Sequence, residues 1–295
     1  MPKVDAIDGS APPASRILSA SRVAGLVLWT LILATTHPIR AVRQKPFPYR
    51  ITQLWHRGAL KICGIDLARH GKILQGKPVL FVANHVSYLD ICVLGAALDA
   101  SFVAKAEVGG WAGFGYLARL QNTVFVNRNS REIAAQRKAI ADRLSGGGRL
   151  VLFPEGTSSD GSRALTFKSA LFDSASIEID GDQVYVQPLS IAYSRFDGLP
   201  MGRWLRPHFA WYGDMELAPH LWRALGLGQI GVDVVFHEPV RLKDYGSRKA
   251  LARHCEAMVS KGLSDSLRGR FDTSPAALPA PAFADVGAPV AQETA

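Results

Sequence analysis

The chain has 295 residues, 48% of them hydrophobic and 20% charged, with a formal net charge of +9. That composition excludes an intrinsically disordered chain, and the lack of a series of ~20-residue apolar runs excludes a polytopic membrane protein. The ends are acidic, −3 on residues 271–295 and −1 on 1–12, so residues 13–270 carry +13 and call for an anionic partner such as nucleic acid or a membrane surface.

Residues 1–15 are rich in Pro, Ala and Ser and read as a flexible lead. Residues 16–49 read as a membrane-associated helical segment. Within them, residues 23–36 form an uncharged apolar run of 14, with Arg16 and Arg22 in front and Arg40, Arg43, Lys45 and Arg50 behind. A cleaved signal is disfavoured by the basic residues on the far side and by the absence of a small-residue cleavage site. A spanning helix needs ~20 apolar residues and would have to bury Arg22. A helix lying in the interface, its arginines reaching phosphates, fits the pattern better, with an ordinary buried helix as the plain alternative.

From residue 50 to 270, short apolar runs alternate with helix-like stretches. Residues 78–83, 101–104, 123–126, 149–153, 184–193, 208–212 and 232–236 read as strands, several of them apolar on both faces. Residues 129–148 read as a helix. Asn129 and Glu132 would form its capping box, Ile133, Ile140 and Leu144 its apolar face, and Gly146 its stop. The expected fold is α/β: a single central, mostly parallel sheet covered by helices, preceded by the membrane-associated segment. Residues 271–295 read as a disordered Pro/Ala-rich tail.

The strand at 78–83 runs into Asn84-His85-Val86-Ser87-Tyr88-Leu89-Asp90. His85 therefore sits at a strand end, where α/β proteins place ligands. Asp90 falls in the first turn of the next helix, within reach of the imidazole. A carboxylate on one imidazole nitrogen fixes the tautomer and raises the basicity of the other, which suits removal of a proton from an alcohol. Helix capping alone explains Asp90 equally well, because Ser87-x-x-Asp90 has the form of a capping box.

A second strand end carries Phe153-Pro154-Glu155-Gly156-Thr157-Ser158, a tight turn able to expose backbone N–H groups. Lys105 and Arg128 follow two other strands, and an arginine fork there suits phosphate. His208, His220 and His237 lack metal spacing. Trp204, Trp211, Trp222 and Tyr212 read as core or as interfacial aromatics. Cys63, Cys92 and Cys255 stand far apart, which excludes a disulfide scaffold and suits a reducing compartment.

The ordered set NHVSYLD, FVAKAEV, VFVNR, FPEGTSS and VQPLSIAY resembles the glycerolipid acyltransferase family that includes 1-acylglycerol-3-phosphate acyltransferase, over roughly residues 60–245. The resemblance implies His85 as the general base on a lysolipid hydroxyl and Asp90 as its orienter. It implies substrate contacts from Lys105, Arg128, Glu155, Gly156, Thr157 and Lys168, with Pro188 near the acyl pocket. The partners it implies are a lysolipid acceptor, acyl-CoA or acyl carrier protein as donor, and the anionic bilayer at the cytoplasmic face of the inner membrane. It implies no metal, no cofactor and no nucleic acid.

The expected acceptor is 1-acylglycerol-3-phosphate, giving phosphatidic acid. One departure bears on it: the family's third motif usually continues FPEGTRS, and this chain has Ser158 in place of that phosphate-side arginine, with Arg163 or Lys168 as substitutes. A lyso-ornithine lipid acceptor is therefore the alternative. A basic nucleic-acid-binding protein lacks support, since no groove-sized basic helix and no RNA-binding aromatic signature occur. A serine hydrolase lacks its G-x-S-x-G elbow.

Overall fold

A computed structural model of the chain describes residues 12–35, 49–111, 114–126, 133–145, 148–179 and 181–271. Arg40, Arg43, Lys45, Arg128, the Asn129/Glu132 cap and most of the tail lie outside the described residues.

Two helices open the fold, α1 (Arg16–Ala34) and α2 (Tyr49–Cys63), followed by β1 (Ile65–Gly71) and β2 (Val79–Ala83). Then come α3 (Leu89–Ala97), β3 (Ser101–Lys105), α4 (Phe114–Leu120), β4 (Val124–Val126), α5 (Ile133–Ser145) and β5 (Arg149–Leu152). A small hairpin, β6 (Glu178–Ile179) and β7 (Asp182–Gln183), precedes the long β8 (Tyr185–Phe196) and the short β9 (Leu199–Pro200). The chain ends with α6 (Leu217–Leu225), β10 (Ile230–Phe236) and α7 (Arg248–Leu267).

The main sheet has the order β1-β10-β8-β2-β5-β3-β4, with β9 beside β8. β8, β2, β5, β3 and β4 run parallel, while β10 meets β8 antiparallel and β1 follows β10 parallel. The sheet is mostly parallel, as its apolar strands predict, and each central strand divides its side chains between two layers. In β2, Val79, Phe81 and Ala83 join Ile191, Tyr193 and Val232 and pack on α2 and α3 through Leu60, Val93 and Leu94. Leu80 and Val82 face the other way, with Leu150 and Val186, onto α5 and α7 through Ile140, Leu144, Leu251 and Val259. A strand packed on both faces can be apolar throughout, and all five residues of β2 are buried.

The strands differ from the sequence reading at two places. Residues 208–212 do not form a strand. A 3-10 turn at Arg206–His208 is followed by irregular chain, and Trp211 N–H donates to Val86 O at 2.9 Å, so this segment lies over the loop after β2. β1 is a strand that apolar counting misses, because Asp66, Arg69 and His70 interrupt its run. It is an edge strand, where such charges discourage pairing with a further chain.

α1 is long and apolar enough to cross a bilayer by length and composition. Its middle nonetheless belongs to the domain. Arg22 is buried and donates to Leu225 O at 3.0 Å, Leu227 O at 2.7 Å and Gly228 O at 3.3 Å. These are carbonyls at the C-terminal end of α6, which lack helical partners and attract a cation. Ser19 Oγ donates to Trp222 O at 2.8 Å, and Trp29 Nε1–H donates to Trp55 O of α2 at 3.1 Å. The expectation that Arg22 reaches out to phosphates is therefore overturned: it is spent inside the protein. Further along α1, Val27, Leu28, Leu31 and Ile32 are exposed.

Candidate active site

β2 delivers the site by ending cleanly. Asn84 continues the ladder with its side chain, donating through Nδ2 to Ile191 O at 2.9 Å and accepting Ile191 N–H at 2.8 Å. The main chain of residues 85–88 is thereby released to turn before α3 begins. Asp90 in the first turn of α3 gathers that turn: Val86 N–H and Ser87 N–H donate to its Oδ2 at 2.7 Å and 3.0 Å. The second bond is half of a capping box. The other half is not made, since Ser87 Oγ has no hydrogen-bond partner among the described residues.

The same oxygen meets the imidazole. His85 Nδ1 lies 2.8 Å from Asp90 Oδ2. Because that partner is an acceptor, Nδ1 carries the proton and Nε2 presents its lone pair. Tyr193 OH donates to Asp90 Oδ1 at 2.8 Å, so four donors face a carboxylate that is 0% exposed. Burial, then the neighbouring Asp90, hold the Tyr193 phenol well above its ordinary range, which keeps it a donor. Asp90 Oδ2 thus serves the backbone of the turn and the imidazole together, while the capping box expected of Ser87 and Asp90 is only half made.

The second strand end closes over this loop. Phe153, just past β5, stacks on the imidazole with ring centroids 4.1 Å apart and planes 19° apart. Glu155 is 1% exposed and accepts His85 N–H at 3.3 Å and Leu165 N–H at 2.9 Å. Burial pushes its carboxyl up to about 8 despite those two bonds. Ser159 N–H donates to His85 O at 2.9 Å. Gly156 turns with φ +69°, and a Cβ there would lie 2.7 Å from Lys168 Nζ, so the lysine ammonium rests on the bare turn. Ser158 Oγ donates to Trp211 O.

The structure thus brings together His85, Asp90, Glu155, Gly156 and Lys168, with Thr157 exposed on the same turn. Lys105 is exposed at the end of β3, which is separated from β2 by β5. Pro188 is buried in β8 opposite Val82. Its carbonyl accepts His237 N–H at 3.0 Å, so its missing donor faces the chain leaving β10, where the ladder has ended. The sequence reading gives Tyr193, Phe153, Asn84 and Ser159 no role, although Phe153 lies just past β5 and Tyr193 within β8.

Among the described residues no cluster of His, Cys, Asp and Glu is arranged to hold a metal ion. Ser190 contacts His237 Nε2 at 2.7 Å but donates its own proton to Val259 O at 2.8 Å. His237 must therefore be the donor of that pair, and it does not activate the serine. Cys63 and Cys255 are buried and unpaired, and burial pushes the Cys92 thiol up to about 12. Trp211 is half-buried against the site loop and Tyr212 half-buried against the core, while Trp204 and Trp222 are exposed.

A site with one partnered and one open imidazole nitrogen, walled by an aromatic ring and a buried carboxyl, is equipped to take a proton from a hydroxyl. Comparison with known proteins gives this chemistry a setting. Residues 65–192 match the family model described as Acyltransferase. The chain is 44% identical to the lyso-ornithine lipid O-acyltransferase of Rhizobium meliloti, over 77% of this chain and 80% of that protein. It is 43% identical to the lyso-ornithine lipid O-acyltransferase of Brucella abortus, over 84% and 94%. The 1-acyl-sn-glycerol-3-phosphate acyltransferase of Neisseria gonorrhoeae is 37% identical over 63% of this chain and 70% of its own length. In fold, the crystal structure of the 1-acyl-sn-glycerophosphate acyltransferase of Thermotoga maritima superposes with a TM-score of 0.53 at 22% identity, covering 83% of this chain and 97% of that one.

Proposed function

The chain belongs to the acyltransferase family of lysolipid-acylating enzymes, and on that premise we propose that it is a lyso-ornithine lipid O-acyltransferase in which His85 is the general base. The observation that carries the mechanism is the His85–Asp90 contact at 2.8 Å with Nε2 left open. The acceptor hydroxyl gives its proton to Nε2 as its oxygen attacks the thioester carbonyl of acyl-CoA or acyl carrier protein. Asp90 stabilises the imidazolium, the tetrahedral adduct collapses, and the leaving thiolate takes the proton back. An ester and a free thiol result, and no acyl-enzyme forms. Asp90, Tyr193, Phe153 and Glu155 act through His85 as positioning residues. We assign substrate contacts to Lys105, Arg128, Gly156, Thr157, Lys168 and Pro188.

Two observations favour the ornithine lipid over 1-acylglycerol-3-phosphate, the acceptor first expected. The relatives of greater identity act on the former. In addition, Ser158 stands at the family's phosphate-side arginine, and its hydroxyl is already committed to Trp211 O. The phosphate acceptor remains the second reading, favoured by the Neisseria gonorrhoeae relative.

The enzyme is proposed to lie on the cytoplasmic face of the inner membrane. Arg22 pins the first half of α1 to the domain, while Val27, Leu28, Leu31 and Ile32 remain open to lipid tails. Purified protein, a labelled acyl donor and a panel of lyso-ornithine lipid, lysophosphatidate and other lysolipids test the assignment. Transfer should be greatest to lyso-ornithine lipid and absent in His85→Ala with an unchanged melting curve. Retained transfer in that variant rules out the mechanism, and preference for lysophosphatidate rules out the acceptor.

A further inference from the structure

A cavity of about 420 Å³ opens between residues 162–164, the Arg206–His208 turn and the C-terminal half of α7. Its wall carries Arg163, Arg206 and Arg268 together with Ser162, Ser260 and Ser264, and no carboxylate. Two of these groups are unspent: Ser162 Oγ and Arg206 Nε are buried without a hydrogen-bond partner. Arg206 gives only Nη2–H to Met201 O at 3.2 Å. Both are therefore free to bond a ligand in the cavity without breaking an existing hydrogen bond.

Of the nearby acids, one offsets part of the cavity's charge and the other is spent elsewhere. Asp160 attracts Arg206 but accepts Ser162 N–H at 2.9 Å. Asp265 is held by Lys261 at 2.8 Å and Arg270 at 2.6 Å. Arg163 and Arg268 make no ion pair among the described residues. Three guanidinium forks beside three hydroxyls suit an oxyanion, phosphate or carboxylate, better than any cation or neutral group.

The segment that lines the cavity at residues 162–164 continues directly from the turn that touches the loop carrying His85. Ser159 N–H holds His85 O at 2.9 Å. Gly161, with φ +76°, lies so close to Val86 that a Cβ would come within 3.0 Å of its Cγ1. Three residues of extended chain span at most ~10 Å, so Ser162 stands that near to the loop carrying His85.

We propose that this cavity is an anion-binding subsite that grips the phosphate or carboxylate of one of the two substrates while His85 acts on the hydroxyl. The inference rests on the acyl-transfer reading above. Both thioester donors carry a pantetheine phosphate, and the ornithine headgroup carries a carboxylate, so either substrate can supply the oxyanion.

The test is Arg163→Gln/Arg268→Gln, two exposed side chains whose replacement leaves the core intact. Inorganic phosphate should raise the melting temperature of the wild type and not that of the double variant. KM, measured separately for donor and acceptor, should rise by about tenfold for one of them at unchanged kcat. A donor effect assigns the pocket to the thioester's phosphate, and an acceptor effect assigns it to the headgroup. Unchanged KM for both substrates overturns the proposal. If no lysolipid is acylated, the acceptor assignment fails on its own account and the phosphate shift decides the subsite, equal shifts in the two proteins overturning it.

Discussion

Replacing Asp90 by Asn separates its two roles. His85 Nδ1–H, Val86 N–H and Ser87 N–H converge on Oδ2, and Tyr193 OH meets Oδ1. An asparagine has one acceptor oxygen, and the two backbone N–H groups force it into the place of Oδ2. Its NH2 then faces Tyr193, whose hydroxyl can turn to accept. The imidazole keeps its partner and its tautomer, so only the charge is lost. A carboxylate and an imidazolium with charge centres ~4 Å apart attract by about 4 kcal/mol at an effective dielectric constant of about 20. The expected result is a kcat lower by about a thousandfold, with a melting cost of about one charge-assisted hydrogen bond, 1.5–3 kcal/mol. The assay is lysolipid-dependent thiol release at saturating substrates, run beside a denaturation curve. A wild-type kcat per folded molecule refutes the reasoning and leaves Asp90 a helix cap. A loss above about 10⁴ refutes it differently, by showing that the amide has flipped and dictated the wrong tautomer.

Tyr193→Phe removes one donor from Asp90 Oδ1 and leaves the three on Oδ2. Stability should fall by about 1.5–3 kcal/mol with kcat reduced less than about tenfold, and a larger loss in kcat would mean that the phenol touches substrate. Glu155 has a folded-state pKa raised to about 8, so its contribution to stability is complete below the ordinary carboxyl value and is lost as pH rises toward 8. The stability of Glu155→Gln relative to wild type should therefore climb with pH across that window by up to about 1.4 kcal/mol per unit, and a flat difference in urea titrations would show that the carboxyl ionises freely. Arg22→Ala deprives Leu225 O, Leu227 O and Gly228 O of their donor. Amide exchange should then rise in α1 while α7 stays protected, and equal protection in both proteins would mean that the arginine does not hold the helix.

The central fold and the dyad were legible because both are local. A strand buried on two faces writes itself as an apolar run; β2 does so throughout, and β5, β8 and β10 do so with a few polar residues inside the run. His85 and Asp90 lie on one turn, so their spacing alone brings them within reach. What supports them is tertiary. Phe153 and Tyr193 come from β5 and β8, on either side of β2 in the sheet, and that order cannot be read from spacing. The misread strand at 208–212 shows the converse error. Phe209 and Ala210 are fully buried, as a strand would require, but they join the core without joining the ladder, Phe209 lying against Phe196.

The same limit applies to charge. The +13 on residues 13–270 treats every arginine alike, yet the structure gives them different work. Arg22 is consumed by the carbonyls ending α6. Arg195 is consumed by Asp233, a residue 1% exposed that also takes His70 Nε2 at 2.9 Å. Arg241 and Lys243 are paired with Asp182. Arg163 and Arg268 make no such pair among the described residues, and they face a cavity beside the turn that holds His85. Net charge adds up along a chain, but the charge available to a ligand is what internal partners leave over. Among the described residues Arg163 and Arg268 are part of that remainder, and the cavity they line suits a small anion better than a nucleic-acid groove.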